Sequence, residues 1–578
     1  MLKLTRLSSQ TLRVWAVLSI SLGAGCASLQ GPSDHTTTTP ISSTKVNSNV
    51  ASRAELIYQL LVGEIAGKQG AIEAATEHYL KASELSPDPQ IAARTARIAL
   101  YSKNYDLALG AVNRWLELEP NSVEAHQTAG VLLVRMEKPA ESAKHFISLI
   151  DQEEDAEMSF AQIGLLLGRD KVTDSEFKVM ALLREHYPNT VHAHRSYAEL
   201  AYRGKQYDSA ETATADALRL DPNDRASRIL QNRILLETGK VDKGLRGMQA
   251  LLATSSDDID LRHDYARMLV KAKRYDQALT EYEKVYSAAP DDLDLLYSKA
   301  LLEIELKHYD KARVSLKKLL QSPHHSNEAI FYLGRVNEEQ QAYEQAIGWY
   351  SKIRDGEYYF EAQSRVADML ASLGHLPEAR EHLARVRNQI DNEALQVRLY
   401  LSEGQLLRNA GAYQESYDFY DKILEKFPDN TDLIYARAMT AEKLGHLDWL
   451  ERDLRWIIER EPDNATALNA LGYTLADVTD RHKEAQKYIH KALELRPDDP
   501  AVLDSAGWVN YRMGNYNEAE RYLRKALTNL EDAEIASHLG EVLWAKGQRE
   551  DAKKTIRNAL KSSPKDSRLL ELKKQFEK

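Results

Sequence analysis

Residues 501–527 read AVLDSAGWVNYRMGNYNEAERYLRKAL, and the order of small and large residues in this stretch decides the reading of the chain. Gly507 falls where two helices have to pack closely, the turn signal MGNY follows at 513–516, and Ala519 and Ala526 stand at small positions of a second helix. The stretch 536–564, ASHLGEVLWAKGQREDAKKTIRNALKSSP, keeps that order with Gly540, Ala552, Ala559 and Pro564. So does LLVGEIAGKQGAIEAATEHYLKASELSP at 60–87, with its GKQG turn, through Gly63, Ala75, Tyr79, Ala82 and Pro87. Prolines keep the same beat. Pro188 and Pro222 are 34 residues apart, Pro290 lies 68 further on, and Pro428 and Pro462 are again 34 apart. Proline fits the start of a unit, where its missing N–H costs nothing and the preceding helix must end.

A 34-residue period carried by these residues resembles the tetratricopeptide (TPR) repeat, a pair of antiparallel helices. The resemblance implies an all-α fold, a right-handed superhelical solenoid of about fifteen helix pairs. Phasing places the array at 54–566, with the polar-faced stretch SRLLELKKQFEK at 567–578 as a helix capping the last apolar surface. A glycine or alanine in the first helix is expected to let the second lie against it with no side chain between. Tyr79, Phe146, Tyr282, Tyr350 and Tyr420 are expected to fill the space between adjacent repeats. Some units are degenerate. Residues 225–258 carry Gly244 where alanine is expected, 157–190 keeps mainly Gly164 and Pro188, 360–396 drifts in register, and VTDRHKE at 478–484 adds one residue. Such departures mark either a bend in the array or drift.

Composition agrees with helix. The 578 residues include only 26 glycines and 16 prolines. A net charge of −11 argues against a nucleic-acid partner, which needs a basic face. The single cysteine leaves no internal disulfide framework and no cysteine zinc site. Residues 1–25 read as a signal peptide. Lys3, Arg6 and Arg13 precede the apolar run VWAVLSISLGAG at 14–25, which is too short to span a bilayer. Cys26 follows, in the setting SLGAGCAS at 21–28, which resembles the lipobox of bacterial lipoproteins, with Gly23 at the position where leucine is usual and Leu22 one place earlier. The resemblance implies lipidation of Cys26. The alternative is ordinary cleavage nearby and a free thiol. Residues 26–53, rich in Ser, Thr, Asn and Pro, are expected to form a flexible tether.

No HExxH, GxSxG, GxGxxG or GxxxxGK[ST] motif is present, so neither catalysis, a cofactor nor a small-molecule substrate is expected. His324 and His325 read as a loop pair, and His375 and His382 as surface residues on different helices. DDIDLRHD at 257–264 reads as a turn and helix N-terminus rather than a calcium loop. What remains is surface. Family geometry implies that the first helix of each repeat lines a groove. That makes Tyr435, Met439, Asn469, Tyr473, Asp504, Trp508, Tyr511 and Trp544, with Arg512 beside them, candidates for binding a protein or peptide. Packing of the same rings between repeats is the competing reading. Residues 546–578 hold eleven Lys/Arg and five Asp/Glu, a basic end open to anionic lipid, to an acidic partner or simply to water.

Over its mature length the chain resembles TPR lipoproteins of the Gram-negative outer membrane. The stretch NATALNALGYTLADVTDRHKEAQKYIHKALELRPDDPAVLDSAGWVNYRMGNYNEA at 464–519 is similar to the C-terminal part of lipoprotein adaptors of periplasmic carboxyl-terminal processing proteases. That resemblance implies a lipid-anchored adaptor facing the periplasm, whose partners are the protease and its cell-wall hydrolase substrates. The alternative is an assembly factor for an envelope machine such as a pilus, a secretion system or polysaccharide export.

Overall fold

The computed structural model describes residues 48–577 except 154, 170 and 171; Cys26, the segment 1–25 and the start of the tether lie outside the described residues. Every regular element described is an α-helix, thirty-one in all. The chain divides into two compact units, the first ending at His308 and the second beginning at Tyr309.

Unit 1 holds α1 (Ser48–Lys68), α2 (Ile72–Leu85), α3 (Pro89–Tyr101), α4 (Tyr105–Leu118), α5 (Val123–Arg135), α6 (Pro139–Gln152), α7 (Ala156–Leu167), α8 (Asp174–His186), α9 (Val191–Arg203), α10 (Tyr207–Leu220), α11 (Arg225–Glu237), α12 (Val241–Thr254), α13 (Ile259–Lys271), α14 (Tyr275–Ala288) and α15 (Leu293–Glu305). Unit 2 holds α16 (Tyr309–Leu319), α17 (Ser326–Glu339), α18 (Tyr343–Tyr350), α19 (Tyr359–Ser372), α20 (Leu376–Arg387), α21 (Glu393–Asn409), α22 (Tyr413–Lys426), α23 (Thr431–Leu444), α24 (Leu447–Arg460), α25 (Ala465–Val478), α26 (His482–Leu495), α27 (Pro500–Arg512), α28 (Tyr516–Asn529), α29 (Ala533–Ala545), α30 (Arg549–Ser562) and α31 (Ser567–Glu577).

The period is written in the backbone. The turn inside a repeat needs one residue with positive φ, and Lys103, Glu137, Lys205, Gly239, Lys273, Lys307 and Gln341 supply it at intervals of 34 or 68. At 479 the rhythm breaks. Thr479 is extended (φ −136°, ψ 171°), because the additional residue in VTDRHKE gives the turn a different path. The drift after 340 has two causes: α18 has only 8 residues, and α21 is lengthened to 17. First helices begin with an Asp or Asn whose side chain accepts a backbone N–H, as at Asp224, Asp258, Asp292, Asn430 and Asn464. Asp258 makes DDIDLRHD a capped helix start.

Inside a pair, the glycine has a different task from the one expected. A Cβ on Gly63 would stand 2.8 Å from the ring of Tyr79, and one on Gly130 would stand 2.6 Å from the ring of Phe146. The same clash joins Gly334 to Tyr350, Gly404 to Tyr420, Gly507 to Leu523 and Gly540 to Ile556. Each partner lies sixteen residues after its glycine, except Ile489, which follows Gly472 by seventeen because of the added residue. The large residue therefore lies over the glycine of its own pair, and the glycine makes room for a side chain rather than removing one. Alanines 75, 82, 519, 526 and 552 are fully buried.

Two further expectations are corrected. Helix α1 begins at Ser48, inside the stretch assigned to the tether, because SNVASRAEL holds no proline or glycine to stop it. The pair at 157–190 is rearranged: α8 packs on α6 and α9 while α7 packs on α9, and little of α7 touches α8. At the other end α31 buries Leu569, Leu572 and Phe576 against α29 and α30. By contrast α1 carries Ile57, Leu61 and Ile65 at helical spacing, all more than half exposed.

Replacing Gly404 by Ala drives a methyl group into the buried Tyr420 ring. It should lower stability by about 1–3 kcal/mol, read as a lower urea midpoint. Leu61→Lys, on the exposed face of α1, should leave the midpoint within about 0.5 kcal/mol of the parent.

Candidate partner-binding face

The first helices α25, α27 and α29 run side by side near the end of unit 2, with α31 closing the row. Asn464, Asp499 and Asp532 cap their starts, so equivalent turns stand at one level. Residues one period apart then become neighbours. The carboxylate of Asp504 lies 2.9 and 3.0 Å from Nδ1 of His538, thirty-four residues later. A carboxylate only accepts, so Nδ1–H donates. His538 is fully buried, its Nε2 has no hydrogen-bond partner, and its ring stacks on Trp508 with centroids 4.2 Å apart.

Trp508 Nε1 donates to Asp477 at 3.0 Å, and Arg512 donates to the carbonyl of Asp477 at 2.5 Å. The Tyr473 hydroxyl donates to Glu534 at 3.2 Å. Burial, reinforced by Glu534, Asp477 and Asp504, pushes that hydroxyl's pKa up, so it stays a donor. Arg568 bonds Glu541 at 3.3 Å and reaches over the Trp508 ring. Trp544 lies nearly parallel to Phe576 of α31 at 4.3 Å, with Arg549 beside it.

The nine candidates therefore part into groups. Asp504 and Trp508 are buried and are held between α25, α27 and α29. Tyr473, Tyr511 and Arg512 surround them and stay partly open to solvent. Trp544 belongs to the contact with the last helix. Tyr435 and Met439 sit on α23, half-buried against the apolar cluster that runs through α21–α27. Asn469 is half-buried, and its Oδ1 lacks a partner. Sequence reading missed Asp477, Glu534, His538 and Arg568. A search for complementary side chains at i and i+34 would have found Asp504 with His538, as it finds Glu237 with Lys271 in unit 1.

Among the described residues no group of three His, Cys, Asp or Glu side chains is placed to hold a metal. His324 and His325 lie in the turn before α17, and His325 pairs with Glu328 at 2.7 Å. His375 and His382 do not lie on different helices: His375 caps α20 and His382 lies within it, half-buried. Two other histidines have structural tasks. His126 Nε2 binds the carbonyl of Pro120 and His194 Nε2 that of Pro188, each at 2.9 Å, while Arg228 binds that of Pro222 at 2.8 Å. These three occupy one position of the repeat and satisfy the carbonyls of Pro120, Pro188 and Pro222. The other nitrogen of His126 meets Nδ1 of His145 at 3.0 Å.

The chain is 39% identical to the TPR repeat-containing protein PA4667 of Pseudomonas aeruginosa, over 93% of this chain and 91% of that one. The chain belongs to the tetratricopeptide-repeat family. Tetratricopeptide-repeat models match it at 178–225, 269–333, 463–532 and 510–576. Among solved structures it is similar at 14% identity to the Cut9 complex of the APC/C (TM-score 0.33, covering 90% of this chain and 96% of that one). It is similar at the same identity and TM-score to yeast Tom70 (92% and 96% covered). Tetratricopeptide repeats of this kind form a scaffold for protein–protein interaction.

Burial lowers the pKa of His145, His263 and His382, reinforced by His126, Arg267 and Arg385 respectively. The folded state then prefers neutral imidazole, and the unfolded chain binds more protons once pH falls below about 6.5. Stability should therefore drop as pH falls from about 7.5 to about 5.5, and His263→Gln should flatten part of that slope in thermal melts. Trp508→Ala removes both the stack on His538 and the bond to Asp477, and should cost about 3–5 kcal/mol in urea unfolding.

Proposed function

We propose that this tetratricopeptide-repeat scaffold is tethered through a lipidated Cys26 to the outer membrane, facing the periplasm. There it holds a carboxyl-terminal processing protease together with cell-wall hydrolases and promotes their proteolysis. The observation that carries the scaffold is a helix-pair array filling the described chain. The resemblance of 464–519 to protease adaptors supports the protease, and the position of the sole cysteine after a signal-like segment supports the anchor. Holding two proteins on one scaffold raises the concentration of each at the other. The partner surface we assign is the half-open rim of α25–α29, where Tyr473, Tyr511 and Arg512 flank the buried Trp508.

Cys26→Ala should move the protein from the membrane fraction to the soluble periplasmic fraction or block its maturation; normal membrane retention removes the anchor from the proposal. A pull-down from solubilised envelope should recover a serine protease of the processing type, and Tyr511→Ala should reduce its yield without shifting the melting temperature. Recovery of pilus, secretion or export subunits in its place, with hydrolase levels unchanged on deletion, favours the assembly-factor reading.

A further inference from the structure

A second candidate site lies in unit 1. It starts from the departure at Gly244. A Cβ there would stand 2.6 Å from the carbonyl oxygen of Asn232, and one on Gly247 would run into the Asn232 side chain. Here α12 does lie against its partner helix α11 with nothing between them. It rests correspondingly lightly on the next first helix, α13. The space opens toward α14 as a cleft of about 680 Å³, within the range of ligand-binding clefts.

The floor of the cleft is apolar, from the partly open ring of Tyr265 and the edges of Leu245 and Leu252, with Leu269 fully buried beneath them. Its ion pairs are Arg262 with Glu281 at 2.6 Å and Arg274 with Asp242 at 3.5 Å. Arg262 is further committed to the carbonyl of Ser256. Arg246, between them on α12, is exposed and makes no hydrogen bond or ion pair to another described residue. Three guanidinium groups thus face two carboxylates, which leaves one cation to be matched. Gln249 on one wall and Gln277 on the other are exposed, with their amides unused. From Asp242 to Ala253 the cleft follows α12 for about 17 Å, the length of about five extended residues.

We propose that this cleft binds an extended acidic peptide segment of a partner protein. Alternate apolar side chains lie on the Tyr265 ring and the leucine edges beside it, the two glutamine amides bond its backbone, and Arg246 takes a carboxylate. Charge complementarity and the amide-lined walls select this occupant. The site does not depend on the protease reading or on the anchor.

The test is fluorescence anisotropy on the full chain, with a labelled peptide of alternating leucine and aspartate about six residues long. The expected result is saturable binding that weakens with added salt, and a lysine-for-aspartate peptide that does not bind. Arg246→Glu should weaken binding on the order of tenfold. Ala253→Trp, at an exposed position on the rim, should fill the cleft and abolish binding with the melting temperature unchanged. The proposal falls if the aspartate peptide does not saturate, if the lysine peptide binds equally well, or if Ala253→Trp binds like the parent. Saturable binding of laurate with no binding of the aspartate peptide likewise overturns it. Should Arg246→Glu fail to fold, Ala253→Trp and the lysine peptide still decide the matter.

Discussion

The structure depends on one contact, a large side chain seated on a helix where a side chain is missing. Gly334 under Tyr350 and Gly404 under Tyr420 show it plainly. Each bulky residue is fully or almost fully buried, so the contact supplies both the apolar area and the spacing of its pair. The two halves of the contact are sixteen or seventeen residues apart, so each of the seven pairs that carry it contains its own. Neighbouring units then need only fit surface to surface, as expected for an array in which each repeat contacts chiefly its neighbours.

The polar groups follow from the same repetition. A stack of first helices brings position i beside position i+34, so two side chains far apart in sequence become a pair whenever both repeats carry a complement. Asp504 with His538 is one such pair, and Glu237 with Lys271 another. The carbonyls at the inter-repeat prolines are met by His126, His194 and Arg228 from one repeated position. Some buried polar atoms are thus satisfied by a rule that recurs along the chain, while others, Nε2 of His538 and Oδ1 of Asn469 among them, are left without a partner.

Much of this was legible in the sequence because it is periodic. The prolines and small residues at 34-residue spacing give the helix pairs, and the added residue at 478–484 gives the altered turn at Thr479. What was not legible is what a local pattern does not encode. Glycine beside a helix reads the same whether it admits a bare backbone, as Gly244 does, or a ring, as Gly130 does. The difference lies in a residue on the other helix. The division of the candidate face was hidden for a similar reason: Trp508 and Asp504 share a helical stripe with Tyr511, yet the residues that bury them, His538 and Asp477, come from the neighbouring repeats.

The left-handed turns have a further consequence. Among the described residues, Lys103, Glu137, Lys205, Lys273 and Lys307 hold that conformation in unit 1 beside glycines 70 and 239, whereas unit 2 uses glycine at 374, 411, 445, 514 and 547 and a side chain at Gln341. An L-residue in that conformation carries roughly 1–2 kcal/mol of local strain that glycine avoids. In a nearly one-dimensional array, such strain is not shared by the whole molecule; it lowers the threshold for opening at its own repeat. The turn chemistry therefore sets an order of local opening, with backbone amides beside the lysine turns of unit 1 exchanging with solvent ahead of those beside the glycine turns of unit 2.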